Sequence, residues 1–185
     1  MSLEIVMGPM FSGKSSTIHS AVKRQSAIGV PVLAIKPAID TRYDGNAEVV
    51  THDNLRIPCL TVNSLDEIPL MTLAQAKFIV IEEAQFFTKL VSFVLKLVDV
   101  YHKDVLVVGL DGDSDRKPFG EILQLIPYAE TVIKLNALCS RCRNGTKAPF
   151  TYRKTSDDTQ IHVGDQSDYE AVCRSCYHKL TRKDV

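Results

Sequence analysis

The residues best placed to do chemistry begin with a glycine-rich stretch close to the amino terminus. The phosphate-binding pattern G-x-x-x-x-G-K-[ST] is matched at every fixed position by Gly8, Pro9, Met10, Phe11, Ser12, Gly13, Lys14 and Ser15. The stretch follows an apolar run of strand length and precedes residues with helical spacing. In that context backbone N–H groups turn inward around phosphate oxygens, and the positive end of the next helix faces them. The pattern therefore predicts a nucleoside triphosphate site, with a chance glycine-rich turn as the alternative.

Two side chains of this stretch and an acidic pair further along predict a magnesium-dependent reaction. Lys14 would reach the outer phosphates, and the Ser15 hydroxyl would take one position on Mg²⁺. Glu82 and Glu83 end the apolar run 78–81, where P-loop proteins place an acidic residue that holds Mg²⁺ directly or through water. Adjacent residues leaving a strand point to opposite sides. Glu82 is therefore predicted to face the metal and Glu83 to act as base toward a hydroxyl, with two solvated glutamates as the alternative.

Charged residues also follow two other apolar runs. Asp40 and Arg42 come after the second run, and the carboxyl ends of strands line the ligand crevice in open α/β sheets. Arg42 would clamp a transferring phosphate with its planar guanidinium, while Asp40 would orient Arg42 or bind the metal through water. An ordinary charged surface loop is the alternative. Asp111 and the pair 116–117 follow the fourth run and carry the same positional argument.

Four of the five cysteines form two Cys-x₂-Cys pairs, Cys139 with Cys142 and Cys173 with Cys176. Two such pairs complete a tetrahedral shell of thiolates that suits Zn²⁺, and a closed shell predicts a structural ion. A redox pair or buried free cysteines are the alternatives. The pairs lie further apart than in an ordinary zinc ribbon. The spacing therefore predicts a long loop, roughly 144–167, that is held at its base by the metal like a lid.

Short apolar runs alternate with segments of helical spacing along most of the chain. The runs predicted as parallel strands are 3–7, 32–35, 78–81, 105–110 and 131–135. The segments predicted as helices are 15–28, 64–76 and 87–103. This alternation predicts an α/β fold with a doubly wound parallel sheet of the P-loop, RecA-like type. The broad apolar stripe of the third helix predicts packing on the sheet, with subunit contact as the alternative.

Composition divides the chain and limits its partners. Residues 1–136 form the predicted α/β domain, and residues 137–185, which bear cysteines and are rich in turn formers, form a small second module packed against it. Lysine plus arginine equal aspartate plus glutamate at 22 each among 185 residues, which argues against binding a polyanion by bulk charge. No apolar run approaches the length of a membrane span, and the first strand begins at once, without a signal peptide. We therefore expect a cytoplasmic protein without membrane or nucleic-acid partners.

Several motifs occur together and in order. They are GPMFSGKS (8–15), DTRY (40–43), THD (51–53), EAQFF (83–87), LDG (110–112), RKPFG (116–120), and Tyr169 ahead of CRSCY (173–177). With them the chain resembles the type II thymidine kinases, the family of the vertebrate cytosolic and poxvirus enzymes. The resemblance implies ATP-dependent phosphorylation of the thymidine 5′-hydroxyl, with Mg²⁺ as cofactor and a structural Zn²⁺. It implies that Glu83 is the catalytic base and that Asp40 and Arg42 form the active-site Asp-x-Arg.

The resemblance also assigns the nucleoside site. It places five side chains around the nucleoside: Met10, Phe86, Leu110, Phe119 and Tyr169. It implies a zinc-anchored lasso loop that reads thymine largely through main-chain hydrogen bonds, formed here by residues 150–153, with Thr151 and Arg153 near the substrate, and by Gln160, Ile161, His162 and Val163. Arg153 would join Arg42 in offsetting charge on the phosphoryl group. A homotetramer and feedback by dTTP are further implications.

The chain departs from the family pattern at three places. Glu82 stands where the family has aspartate, and Ser16 where it commonly has threonine. Asp111-Gly112-Asp113-Ser114 replaces Asp-Gly-x-Phe, which removes an aromatic surface and predicts a looser or less selective pocket. A P-loop core with a four-cysteine module also occurs in nucleic-acid-dependent ATPases, and that class remains the rival, ahead of a regulatory ATP-binding module without turnover. Neutral charge and the lack of interleaved basic and aromatic residues count against the ATPase.

Overall fold

The computed structural model describes residues 1–40, 48–50, 56–155 and 159–181. In chain order the strands are β1 (Ser2–Met7), β2 (Val32–Pro37), β3 (Glu48–Val50), β4 (Arg56–Pro58), β5 (Leu60–Val62), β6 (Phe78–Ile81), β7 (Asp104–Gly109), β8 (Thr131–Lys134), β9 (Ala137–Leu138), β10 (Lys147–Ala148), β11 (Phe150–Arg153) and β12 (Tyr169–Val172). The helices are α1 (Lys14–Ala27), α2 (Leu70–Gln75), α3 (Leu90–Leu95) and α4 (Arg174–Thr181). Single 3₁₀ segments lie at Leu65–Glu67, Ala84–Phe86 and Ile122–Tyr128, and a π-helical turn, Lys96–Val100, continues α3.

Six strands form one central sheet in the order β5-β2-β6-β7-β1-β8, and all of its neighbours pair in parallel. The five predicted strands are therefore present, and the α/β fold with its parallel sheet is confirmed. The edge strand β5 was missed by the sequence analysis. Its three residues are too few to show a periodicity, and its place is set by pairing with Ile35, Lys36 and Pro37 of β2.

Most residues of the central strands are apolar because each face of the sheet carries a separate core. Ile79 and Ile81 belong to one apolar cluster, while Phe78 and Val80, which alternate with them in β6, belong to the other. Helix α1 packs on the second cluster through Ile18, and α3 covers the first. Helices on both faces give the doubly wound arrangement.

Two predicted helices are shorter than their periodicity indicated. The segment 64–76 divides at Ile68, whose backbone is extended before Pro69, since proline disfavours a helical conformation in the preceding residue. The third helix begins only at Leu90, because Lys89 has a positive φ of 58°. Four residues of its apolar stripe, Leu90, Val94, Leu97 and Val98, are buried in the core, Val91 packs against that core, and Leu95 is half-buried. The predicted packing on the sheet is therefore confirmed.

The last part of the described chain is built from small antiparallel ribbons. β9 pairs with β10, β11 pairs with β12, and α4 follows β12. A third apolar cluster joins these elements through residues such as Ala148, Val172 and Tyr177. Within the residues that the structure describes, none of the helices has the length and apolar character needed to cross a membrane.

Candidate functional site

The glycine-rich loop 8–15 connects the end of β1 to the start of α1. A Cβ atom at Gly8 would lie 2.6 Å from the Leu135 carbonyl oxygen, so the close passage of these two segments requires glycine. Gly13 has a φ of 87°, a conformation that glycine adopts without strain, and it lets α1 begin at Lys14. The ammonium group of Lys14 donates to the carbonyl oxygens of Gly8 (3.2 Å) and Pro9 (2.8 Å). The lysine is thus folded back over the concave side of the loop.

Ser15 and Glu82 come together although 66 residues lie between them. The Ser15 hydroxyl donates to Glu82 Oε1 at 3.1 Å, because β1 and β6 end at the same edge of the sheet, on either side of β7. Neighbouring oxygen ligands of an octahedral Mg²⁺ lie about 2.9 Å apart, given metal–oxygen distances of about 2.0–2.1 Å. The two oxygens therefore match the donor set and spacing of a magnesium site.

Glu83 faces a different set of groups from Glu82. Its backbone adopts the left-handed conformation, with φ 48° and ψ 41°, and its buried carboxylate accepts a hydrogen bond from Gln85 Nε2 at 2.6 Å. Glu83 lines a cleft that Glu82 does not reach. The two neighbouring carboxylates therefore diverge, as the sequence analysis expected.

The cleft beside Glu83 comprises about 470 Å³ of space, part of which is open to solvent. It brings together the predicted nucleoside residues Met10, Phe86, Leu110, Phe119, Thr151, Arg153, Gln160, His162, Val163 and Tyr169. Ile161 is the exception: its side chain is 49% exposed and lies outside the lining. Gln160 and His162, on either side of Ile161, do line the cleft.

The walls of the cleft are held by contacts between distant segments. The rings of Phe86 and Phe119 meet edge to face with centroids 5.4 Å apart, a favoured aromatic geometry. The Met10 N–H donates to Thr151 Oγ1 at 3.0 Å, which ties the glycine-rich loop to β11. The Tyr169 hydroxyl donates to the His162 carbonyl oxygen at 2.7 Å. The cleft is thus closed jointly by the main sheet and the cysteine-bearing part of the chain.

Arg153 is engaged by the loop that covers the cleft. Its guanidinium donates to the carbonyl oxygens of Thr159 (2.6 Å) and Gln160 (3.3 Å) and lies over the Tyr169 ring at 5.5 Å. These contacts hold the described part of the loop in place.

Four lining residues were not predicted as site residues: Gly112, Asp113, Ser114 and Gly164. Asp113 is buried, and its Oδ1 accepts from the backbone N–H groups of Asp115 and Lys117, both at 2.9 Å. An aspartate that begins a polar turn is a recognised signal for this geometry. That signal predicts the turn, although not its position in the cleft wall. Ser114, noted in the sequence analysis only as a departure from the family pattern, also lines the cleft.

Other predicted residues lie elsewhere or outside the described chain. Asp40 is buried just after the end of β2. Residues 41–43, which include Arg42, and the 51–53 motif lie outside the described residues. Asp111 forms an ion pair with Lys134, and neither Asp111 nor the pair 116–117 lines the cleft. The positional argument for those last residues therefore does not place them at the candidate site.

The four paired cysteines converge on one point. Their sulfur atoms all lie within 4.8 Å of one another, and Cys142 Sγ is 3.7 Å from Cys173 Sγ and 3.6 Å from Cys176 Sγ. β9 leads into the first pair and β12 into the second, and the two segments are joined by a hydrogen bond from Ser140 N to Ala171 O at 3.0 Å. The tertiary structure thus unites the two pairs.

The geometry of this cluster fits zinc. Zinc–sulfur bonds of about 2.3 Å in a tetrahedron place neighbouring sulfurs about 3.8 Å apart, close to the observed distances. The thiols are also electrostatically linked. Burial opposes ionisation of Cys139, but backbone N–H donors outweigh it and lower its pKa to about 6, whereas hydrogen bonds from Cys142 and Cys173 raise the pKa of Cys176 to about 12. A divalent cation would stabilise all four as thiolates.

The cysteine cluster is mechanically connected to the cleft. The Tyr177 hydroxyl donates to the Ser114 carbonyl oxygen at 2.7 Å, and the Arg116 guanidinium lies over the Tyr177 ring at 4.3 Å. Since α4 carries both Cys176 and Tyr177, the position of this helix determines part of the cleft wall.

The fold and the site define the chain as an α/β protein with a glycine-rich loop between β1 and α1 and a cleft at the carboxyl edge of a parallel sheet. A family model described as thymidine kinase matches residues 1–177. The chain therefore belongs to the thymidine kinase family, as the sequence motifs predicted.

Individual relatives agree with this assignment over nearly the whole chain. Thymidine kinase a of Arabidopsis thaliana is 41% identical over 180 residues, which cover 95% of this chain and 74% of that protein. The thymidine kinase of Yaba monkey tumor virus is 41% identical over 179 residues, covering 96% and 95%. The cytosolic thymidine kinase of Homo sapiens is 38% identical over 177 residues, covering 96% and 73%.

Proposed function

We propose that this protein transfers the γ-phosphate of Mg-ATP to the 5′-hydroxyl of thymidine, giving dTMP in pyrimidine salvage, and that deoxyuridine is a slower substrate. The observation that carries the proposal is the divergence of Glu82 and Glu83. One carboxylate accepts a hydrogen bond from Ser15 beside the glycine-rich loop, and the other lines a cleft that brings together most of the predicted nucleoside residues. A phosphoryl donor bound at the loop and an acceptor bound in the cleft would therefore meet beside Glu82 and Glu83.

On the ATP side, residues 8–15 hold the nucleotide phosphates. Inward N–H groups of the loop and the amino-terminal end of α1 favour the anionic β- and γ-phosphates. Lys14, now bonded to carbonyl oxygens of the loop, exchanges those contacts for phosphate oxygens. Ser15 and Glu82 hold Mg²⁺, which supplies neutralisation of the phosphate charge when bound.

On the nucleoside side, Glu83 accepts the proton of the 5′-hydroxyl while that oxygen bonds to the γ-phosphorus. The bond from the γ-phosphorus to the bridging oxygen breaks, and ADP leaves. Phe86 and Phe119 present apolar surface to the base, and the main chain of residues 160–163 reads its polar edge. Asp40 and Arg42 complete the catalytic set, with Arg42 and Arg153 offsetting charge on the phosphoryl group. Catalysis of this kind is mostly positioning and electrostatics.

The cysteine-bearing part of the chain serves as the nucleoside lid. The closed thiolate shell of Cys139, Cys142, Cys173 and Cys176 holds a structural Zn²⁺, which fixes the base of the loop that covers the cleft. Exclusion of water by this loop favours transfer to the nucleoside over hydrolysis of ATP. The division into domains 1–136 and 137–185, a cytoplasmic location, a homotetrameric assembly and feedback inhibition by dTTP complete the proposal.

The test is ATP-dependent release of ADP in the presence of Mg²⁺, with thymidine, deoxyuridine, deoxycytidine, deoxyguanosine or single-stranded DNA as the acceptor or effector. The product is identified as nucleoside monophosphate by mass. We expect turnover with thymidine well above turnover with the others. The ratio of deoxyuridine to thymidine measures the selectivity of a cleft that has Ser114 in its wall.

Two results would overturn the proposal. Stimulation of ADP release by DNA, with no activity toward nucleosides, would identify a nucleic-acid-dependent ATPase. Binding of ATP without turnover under any condition would identify a regulatory module. Titration of the activity with dTTP tests the proposed feedback inhibition. Measurement of molar mass in solution tests the proposed homotetramer separately.

A further inference from the structure

We infer that Gln85 is a positioning residue that holds the carboxylate of Glu83 in a fixed direction relative to the nucleoside cleft. The inference rests on the proposed function, since it concerns the base of that reaction. Gln85 is only 3% exposed and does not line the cleft, so it acts through its neighbours and does not contact the substrate.

The hydrogen bonds of the Gln85 side chain assign the orientation of its amide group. Gln85 Oε1 accepts from the Leu110 backbone N–H at 2.9 Å. A backbone N–H can only donate, so the atom that faces it must be the amide oxygen. The amide nitrogen then faces Glu83 and donates to Oε2 at 2.6 Å. This donor requires Glu83 Oε2 to be an acceptor, which is the state that a general base needs before it takes a proton.

The amide also links two walls of the cleft. Glu83 follows β6, Leu110 follows β7, and both line the cleft. Gln85 spans the gap between these two strand ends with one rigid planar group. The direction of the Glu83 carboxylate is therefore fixed by the backbone of Leu110, through Gln85, and not only by the rotamer of Glu83. This matters because Glu83 stands in the left-handed backbone conformation, which a glutamate rarely adopts.

Two glycines provide the space in which Gln85 lies. A Cβ atom at Gly109 would be 2.5 Å from Gln85 Oε1, and a Cβ atom at Gly120 would be 2.2 Å from the Gln85 carbonyl oxygen. Gly120 also has a φ of 61°, which favours glycine. Both contacts are closer than heavy atoms tolerate. Glycine is therefore required at both positions, at the end of β7 and at the end of the 116–120 motif, for the same reason: a larger residue would collide with Gln85.

The primary test is Gln85→Met, which keeps the length of the side chain and removes both hydrogen bonds. We expect kcat for thymidine to fall about 10- to 100-fold, the range for losing a hydrogen bond to a charged group, while KM changes less than about threefold. Gln124→Met, a change at an exposed position on the 122–128 segment, is the matched control and should leave both constants unchanged. Thermal unfolding is recorded for each variant.

A double-mutant cycle distinguishes positioning from a general structural effect. In a Glu83→Gln background, Gln85→Met should cost less than about threefold in kcat, since the carboxylate that Gln85 orients is already gone. A full further loss in that background would overturn the inference, as would a normal kcat for Gln85→Met alone. An inactive wild-type protein would instead overturn the proposed function, so the two failures are distinguishable.

A second variant covers the case in which Gln85→Met does not fold. Gly109→Ala introduces a Cβ 2.5 Å from Gln85 Oε1 and displaces the amide. The same Cβ would lie 3.2 Å from the Ala84 backbone nitrogen, a much milder contact beside Glu83. We expect the same pattern, a lower kcat with KM nearly unchanged. A normal kcat in a folded Gly109→Ala protein would contradict the proposal that the position of the Gln85 amide orients Glu83.

Discussion

The side-chain amide of Gln160 donates from Nε2 to Asp113 Oδ2 over 2.7 Å, and this bond joins the loop above the cleft to the turn in its wall. The other oxygen of Asp113 is engaged by backbone N–H groups of its own turn. The carboxylate of Asp113 is therefore held in a fixed direction, with Oδ2 facing the covering loop. Asp113 stands at the variable position of the Asp-Gly-x-Phe pattern, directly before Ser114, the residue at which this chain departs from that pattern.

Removing the Gln160 side chain should weaken nucleoside binding. We expect Gln160→Ala to raise KM for thymidine by roughly 3- to 10-fold and to change kcat by less than about threefold, because a bond to a buried carboxylate is lost while Glu83 is untouched. Steady-state kinetics measure the effect. Gln166→Ala, an exposed glutamine in the same loop, is the control. An unchanged KM in Gln160→Ala would show that the bond does not contribute to closure.

Glu83→Gln should abolish most of the chemical step. The amide keeps the size of the side chain but cannot take a proton, and general base catalysis contributes about 10²- to 10⁴-fold. We expect a loss of that size in kcat with thymidine affinity retained, as measured by single-turnover kinetics and equilibrium binding. A loss below tenfold would remove Glu83 from the role of base.

Glu82→Gln should act on the magnesium dependence. Neutralising a metal-facing carboxylate lowers affinity for a hard cation that prefers oxygen ligands with charge. We expect the Mg²⁺ concentration at half-maximal rate to rise roughly tenfold, with ATP held in excess. Glu82→Asp, which restores the residue common in the family, should stay within about threefold of the parent. Identical magnesium curves for the parent and Glu82→Gln would contradict the assignment.

Cys173→Ser should release the metal and loosen the lid. Structural zinc contributes to folding free energy directly, and α4 links the cysteine cluster to the cleft through Tyr177 and Ser114. We expect loss of stoichiometric zinc in metal analysis, a lower Tm and at least tenfold weaker thymidine binding. Cys59→Ser is the control, because Cys59 packs against a core cluster of the sheet and lies outside the cysteine cluster. Normal Tm and affinity in Cys173→Ser would contradict the role of the ion.

Glu130 should contribute a pH-dependent part of stability. A hydrogen bond from the Leu3 backbone N–H at 2.6 Å lowers the pKa of Glu130 below its ordinary value of 4.5. A lowered pKa in the folded state means that the contribution is complete above pH 4.5 and is lost as the pH falls through the lower folded value. The Tm difference between the parent and Glu130→Gln should therefore be present at pH 5–7 and shrink in acid. A Tm difference that stays the same as the pH falls from 7 to well below 4.5 would contradict the linkage.

The features that could be predicted from the sequence are those determined by residues close together in the chain. The five apolar runs became parallel strands because residues such as Ile79 and Val80 face opposite apolar clusters. The glycine-rich pattern became a loop followed by a helix because Gly13 and Lys14 meet local backbone requirements. The cysteine spacing predicted a cluster, and the sulfurs converge. The nucleoside residues were predicted only from the resemblance to the family. Apolar packing and main-chain hydrogen bonds do not require particular side chains, so residue types alone do not reveal such a site.

Only the tertiary structure decided which distant residues meet. Nothing local to Gln85 specifies Leu110 as its partner, and nothing local to Asp113 specifies Gln160, because such pairings follow from the path of the chain between them. The edge strand β5 has the same origin, since it forms by pairing with β2, which is distant in sequence. The sequence by itself determined the chemistry that is present and the elements that carry it. The direction in which each group points was decided by packing, because a side chain is oriented by the atoms around it and those atoms come from the whole chain.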